Sequence, residues 1–254
     1  MAVAQNTLCK RYDFAYNQGF IFVPHARIQQ RRVQQRVGNS AHHAKQEPAR
    51  RMTALLVTEY IGIASAALSG FLFGVKKGCD WLGIFVAAFL TALGGGILRD
   101  MLVGRPVYSF THYMPVSIVI VMLVLAILLK LHRKREQLES TFLFIMTDAV
   151  DVISFSIVGA MVALQFDYNV YGVVLLAFCN GVGGGILRDV LLNEVPWFFR
   201  TGLYGTISMG VGLIYFFMAL AGLTNIVWIM TLFTLGVIFR LVAYYRHWHL
   251  PTLD

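Results

Sequence analysis

From about residue 52 onward the chain alternates long apolar stretches with short polar interruptions. Seven stretches stand out: Ala54 to Gly74, Trp81 to Leu98, Pro115 to Leu131, Thr141 to Leu164, Tyr168 to Leu187, Thr201 to Leu223 and Asn225 to Tyr245. Most have no charge in their central part, and each is near the roughly 20 residues that a helix needs to cross the hydrocarbon of a bilayer. The pattern predicts an all-α membrane protein with seven transmembrane helices. Composition agrees. Hydrophobic residues make up 57% of the chain, mean hydropathy is +0.66 and only 13% of residues are charged, about half the usual share in soluble domains. No soluble core hides that much apolar surface.

The first 51 residues break the pattern. They are polar, Gln-rich and without helical or strand periodicity, and they lack the apolar run and cleavage site of a secretory signal. They also hold nine Lys or Arg (Lys10, Arg11, Arg27, Arg31, Arg32, Arg36, Lys45, Arg50, Arg51) against Asp13 and Glu47, a balance of +7 out of the whole chain's +8. The remainder is therefore nearly neutral, and nothing in it points to nucleic acid. Residues 1–51 are expected to be a disordered basic tail. Met52, which directly follows Arg50 and Arg51, is an alternative translation start.

Basic residues alternate in density between the loops. Lys76 and Lys77 follow the first stretch, Lys130, Arg133, Lys134 and Arg135 the third, Arg188 and Arg200 flank the fifth loop, and Arg240 and Arg246 lie at the end. Under the positive-inside rule this places the N-terminus outside and the C-terminus in the cytoplasm, in an inner (plasma) membrane. The tail would then stand outside against the trend, which favours the start at Met52. Trp81, Trp197, Trp228 and Trp248 near stretch ends read as interfacial anchors.

A shift of 89 positions, without a gap, lays residues 58–102 on residues 147–191. Fourteen of the 45 pairs are identical, among them Thr58 with Thr147, Ser65 with Ser154, Gly70 with Gly159 and all seven of Gly94 to Asp100 with Gly183 to Asp189. This is an internal duplication. Each unit holds three stretches, an odd number, so the second enters the membrane from the other side. The expected organisation is residues 52–135 and 136–223 as two inverted three-helix repeats, followed by 224–254 as a seventh helix with a short tail.

The repeated GGGILRD carries the candidate chemistry. Three glycines cost a helix about 1 kcal/mol each relative to alanine, which suggests a break at Gly94, Gly95 and Gly96 and again at Gly183, Gly184 and Gly185. Unwound backbone is tolerated in a membrane only against protein or a wet cavity. Freed carbonyls would serve as cation ligands, and broken helices in inverted repeats mark transport paths. The alternative is that the glycines only let helices approach closely. Arg99 with Asp100, and Arg188 with Asp189, can neutralise each other or pair across the repeat axis. Asp148 and Asp151, at i and i+3 of the fourth stretch, share a helix face, and buried acids of this kind usually line a path or meet a base. Glu59 lies too near the end of its stretch to stand out.

Other chemistry finds little support. Cys9, Cys79 and Cys179 form neither a disulfide framework nor a metal site, and His112, His247 and His249 show no ligand spacing. The seventh stretch has no lysine for a retinal Schiff base, and the triplet is not a phosphate-binding loop. No enzyme activity and no cofactor are expected.

The doubled GGGILRD, the three-plus-three-plus-one stretches and the Pro106 and Pro196 that follow each block resemble the prokaryotic branch of the trimeric intracellular cation (TRIC) channel family, also grouped as the UPF0126 or "glycine transporter" domain family. The likeness spans about 190 residues from Met52. It implies a homotrimer in the lipid bilayer, each protomer holding a potassium-permeable pore lined by glycine-kinked second and fifth helices. The path residues it implies are Gly94, Gly95, Gly96, Gly183, Gly184 and Gly185, with Arg99, Asp100, Arg188 and Asp189 beside them. The lysine-bearing motif of animal members is absent. Two readings stand: a monovalent cation channel, or a secondary transporter of glycine or a similar small zwitterion.

Overall fold

The computed structural model describes residues 52–131, 138–196, 203–246 and 248, with backbone alone at 138–141. The basic tail, Arg133, Lys134, Arg135, Trp197, Arg200, His247 and His249 lie outside them. Among the described residues the regular structure is helical throughout: α1 (Met52–Lys77), α2 (Trp81–Leu102), the single turn α3 (Tyr108–Thr111), α4 (Tyr113–Leu128), α5 (Leu138–Gln165), α6 (Val170–Leu191), α7 (Tyr204–Leu220) and α8 (Ile226–Tyr245).

The duplication extends to the helix ends. Asp80 caps α2 by accepting from Gly83 N at 2.7 Å, and Asn169, 89 positions on, caps α6 by accepting from Gly172 N at 3.0 Å, so each side chain satisfies a backbone donor that a helix start leaves open. α1 closes at Gly78 and α5 at Asp167, both left-handed; α2 closes at Gly104 and α6 at Asn193 in the same way. The pairs 78/167 and 104/193 again differ by 89. Glycine, Asp and Asn are the residues that adopt this conformation most readily.

Among the described residues five helices are long and apolar enough to cross a membrane: Met52–Lys77, Trp81–Leu102, Phe142–Gln165, Val170–Leu191 and Ile226–Tyr245. The other two expected spans are shorter than the sequence suggests. α4 has 16 residues and α7 has 17, roughly 24 to 26 Å against a hydrocarbon core of about 30 Å. Backbone explains the loss: Lys130 and Gly222 turn left-handed and stop the two helices before Leu131 and Leu223.

α5 is the axis of the packing, with 78% of its spanning segment buried against 33% for α8. Small residues bring its neighbours close. A Cβ at Gly159 would stand 2.6 Å from the Leu176 carbonyl oxygen on α6, and one at Gly70 would stand 2.6 Å from that of Ala87 on α2. Close backbone approach of this kind replaces the hydrophobic drive that lipid removes. Ile153, Ile157, Val158 and Val162 of α5 fill the space toward α6, α7 and α8, while Phe155 packs with Ile63, Ala92, Leu93 and Val119 of α1, α2 and α4.

The ends of α2 and α6 meet opposite ends of α1. Arg99 of α2 bonds Glu59, near the start of α1, while Arg188 of α6 lies over Phe73, near its end. Those contacts are fourteen residues, or about 21 Å of helix, apart. α2 and α6 therefore run past each other in opposite senses.

Candidate functional site

Both glycine triplets lie inside unbroken α-helix: α2 and α6 each run 22 residues through their GGG. The expected break is absent at Gly94–Gly96 and at Gly183–Gly185, and no carbonyl is freed there for a cation. Energies explain the correction. Continuing the helix costs about 1 kcal/mol per glycine, whereas an unwound turn in a membrane costs several kcal/mol for every unsatisfied backbone group.

The triplets instead form the crossing of α2 and α6. A Cβ at Gly95 would overlap the backbone carbonyl oxygen of Asn180, and one at Gly184 would overlap that of Thr91. Thr91 and Asn180 are themselves an 89-shifted pair. Gly94 and Gly183 face Leu187 and Leu98, again reciprocally, at 3.0 and 2.7 Å from a Cβ. The third glycine has a different neighbour. Gly96 and Gly185 lie one turn before Arg99 and Arg188, on the same helix face, and their Cβ positions stand 3.7 and 3.8 Å from those guanidinium groups. Two glycines seat the crossing, and the third leaves a bare surface over which the arginine folds.

About 9 Å from the crossing toward the start of α1 lies a balanced charge network. Arg99 donates to Asp100 Oδ1 at 2.8 Å and to Glu59 Oε1 at 2.9 Å, with all three residues at least 96% buried. Asp100 also accepts from Arg105 Nε and from the Tyr108 backbone N–H, each at 2.8 Å. Two acids face two bases, and the geometry gives both acids charged partners. The Tyr108 hydroxyl meets that of Tyr60 at 3.0 Å. Partial burial, with Tyr60 and Glu59 close by, holds the Tyr108 phenol well above its ordinary pKa, so it stays protonated across the physiological range.

On the other side of the crossing the second network is built differently. Arg188 pairs with Asp189, Nη2 to Oδ1 at 2.7 Å, but where Arg99 has Glu59 from α1, Arg188 has the Phe73 ring, 3.9 Å from its guanidinium carbon. Lys77 lies over the same ring at 5.7 Å and pairs with Glu194 at 2.6 Å. Asp148 accepts from the Tyr204 hydroxyl at 3.0 Å and stands 3.7 Å from Arg240 Nη2, whose guanidinium covers the Tyr204 ring at 4.6 Å. Asp148, Asp151, Arg188, Asp189 and Arg240 are all at least 96% buried. Buried atoms without a hydrogen-bond partner gather here: Oδ2 of Asp148, Oδ2 of Asp151, Nη1 of Arg188, and Nε and Nη2 of Arg240. A cavity of about 10 Å³, lined by Asp148, Val182, Gly185, Ile186, Arg188, Asp189 and Tyr204, opens among them. It has room for about one water.

Of the two pairing options open to the RD blocks, the structure takes the one inside each block; Arg99 and Asp100 do not exchange partners with Arg188 and Asp189. Asp148 and Asp151 join the second network as the i, i+3 spacing suggested. Sequence reasoning passed over Glu59, although the 89-residue shift lays it on Asp148. Arg240 reads from the sequence as a flanking charge, yet five residues of helix follow it before the C-terminus of α8. Phe73 and Tyr204 carried no signal at all.

Such a molecule is an all-helical integral membrane protein with a buried ionic network on each side of a glycine-seated helix crossing. Comparison with known proteins agrees. The glycine transporter family model matches residues 56–130 and 145–220, one segment in each half. The UPF0126 membrane protein YvgT of Bacillus subtilis is 32% identical over 197 residues, covering 75% of this chain and 92% of that protein. The UPF0126 inner membrane protein YadS of Escherichia coli K12 is 32% identical over 76% of this chain and 93% of its own length. A solved TRIC cation channel superposes with a TM-score of 0.67 at 30% identity, over 78% of this chain and 96% of that one. The chain belongs to the UPF0126, or glycine transporter, family and has the TRIC-type fold.

Proposed function

We propose that the protein conducts a small monovalent cation, K⁺ foremost, along the α2–α6 crossing of each protomer, between its two ionic networks. The observation that carries this is the placement of twelve buried or half-buried ionisable and phenolic groups at both ends of one helix crossing, in a protein similar to a TRIC cation channel. Charges inside a membrane are costly and mark ion or substrate paths. The path residues are the two triplets, Arg99, Asp100, Arg188, Asp189, Asp148 and Asp151, joined by Glu59 and Arg240. With helix backbone continuous, side chains rather than freed carbonyls form the path. A cavity of about 10 Å³ is too small for a hydrated ion, so this conformation is closed and conduction requires α2 and α6 to shift against each other.

The same reading takes α4 and α7 as the third and sixth spans, the two halves as inverted repeats, and the assembly as a homotrimer in the inner membrane with its C-terminus cytoplasmic. The local bilayer would thin, or flanking residues snorkel, around the two short helices. A second reading, a carrier of glycine or a like zwitterion, draws on the family's description. Flux of K⁺, Na⁺ and glycine into proteoliposomes separates them. Voltage-driven K⁺ flux without glycine is the expected result; saturable glycine counterflow without such flux would establish the carrier.

A further inference from the structure

The two networks differ in one respect that the duplication does not explain. On the α1-start side, Glu59 and Asp100 face Arg99 and Arg105, and the charges cancel. On the other side, among the described residues, three acids, Asp148, Asp151 and Asp189, face two bases, Arg188 and Arg240. The odd acid is Asp151, which replaces the Gly62 found at the same place in the first half. We propose that this site binds one proton, shared between Asp148 and Asp151, and that the protein carries it at neutral pH.

Three observations converge on a proton. A buried, uncompensated carboxylate costs several kcal/mol, and such a group takes up a proton instead. Oδ2 of Asp148 and Oδ2 of Asp151 are both buried without a hydrogen-bond partner, and residues at i and i+3 bring their Cβ atoms within about 5–6 Å. One proton turns two acceptors that lack a hydrogen bond into a donor and an acceptor. The balance is simple: an O–H bond of hydronium breaks to leave water, an O–H bond forms on one carboxylate, and the site goes from one net negative charge to none. A metal ion fits less well. Among the described residues no group of three or more His, Cys, Asp or Glu is placed to hold one, and two guanidinium groups already occupy the surroundings.

The groups facing the pair from each packed element are Arg188 and Asp189 on α6, Tyr204 on α7 and Arg240 on α8. α1 contributes the Phe73 ring against Arg188, and its Glu59 is committed to Arg99. Proton release would leave one negative charge beside the cavity. Its effect on cation flux rests on the proposed conduction path; the proton itself does not.

Infrared spectroscopy of the full chain in an ester-free detergent tests this without any flux. The expected result at neutral pH is a protonated-carboxyl carbonyl band, shifted by D₂O and lost when pH is raised. Either Asp151→Asn or Asp148→Asn restores two acids to two bases and should abolish the band, whereas Arg240→Gln leaves three acids to one base and should increase it. Absence of the band in the wild-type protein, or its persistence unchanged in both Asn variants, overturns the proposal. If the band behaves as expected in a protein that moves no ion, the proton site stands and the channel reading falls.

Discussion

Each glycine of a triplet meets a different neighbour, and substitution should separate them. Gly95→Ala drives a methyl into the Asn180 carbonyl oxygen on α6. Backbone cannot yield as a flexible side chain does, so a loss of about 1–3 kcal/mol is expected, as for other overpacked sites. Gly96→Ala meets only the Arg99 guanidinium at ordinary contact distance and removes a glycine from a helix, a gain of up to about 1 kcal/mol. Thermal unfolding in detergent should therefore rank Gly95→Ala below wild type and Gly96→Ala at or above it; equal melting temperatures would mean that α2 and α6 do not meet as described. Glu59 and Asp148 make a second contrast. Glu59→Gln keeps an oxygen for Arg99 but removes the carboxylate charge, leaving two bases to one acid in a buried site, whereas Asp148→Asn keeps its acceptor for Tyr204 and relieves an excess of acid. The first variant should be the less stable, although the two positions are equivalent by descent.

At the scale of elements, α1 works as a strut held at both ends. Its start supplies an acid to α2 and its end supplies an aromatic ring to α6, with Lys77 reaching Glu194 beyond it. Burial decides which contact matters. Phe73 is buried, so Phe73→Ala should cost about 3–5 kcal/mol and leave Arg188 without its ring. The Lys77–Glu194 pair is more than a third exposed on both sides, and Lys77→Ala should change stability by no more than about 1 kcal/mol. A melting series that placed Lys77→Ala below Phe73→Ala would show the exposed pair, not the ring, to be the fastening. α5 is tied from within: Ser156 bonds the Val152 carbonyl at 2.6 Å and meets Ser208 of α7 at 2.7 Å, and Asn180 of α6 donates to the Phe155 carbonyl at 2.6 Å. These bonds satisfy polar groups that lipid could not.

For the whole molecule, the closed crossing makes a statement about flux. If ions pass where α2 and α6 meet, locking that contact should stop them without dismantling the fold. A disulfide or crosslink joining Leu98→Cys to Gly183→Cys, neighbours across the crossing, should abolish K⁺ flux in proteoliposomes and restore it on reduction. Flux indifferent to the oxidised link would place the path elsewhere in the protomer.

The apolar stretches, the 89-residue duplication and the charged RD blocks were legible in the sequence because each follows from local rules: span length from bilayer thickness, repeats from direct alignment. Even Glu59 was legible through its alignment with Asp148. What the sequence could not decide was how the glycines are used. A run of three weakens a helix by a small, local amount, and only the neighbouring backbone of Asn180 and Thr91 shows that close packing outweighs it. Nor could it tell that Arg240, on a helix outside the duplication, completes one network while Arg105 completes the other. Pairings between groups far apart in the chain depend on which helix ends share a side of the bilayer, and that is set by packing in three dimensions, not by the order of residues.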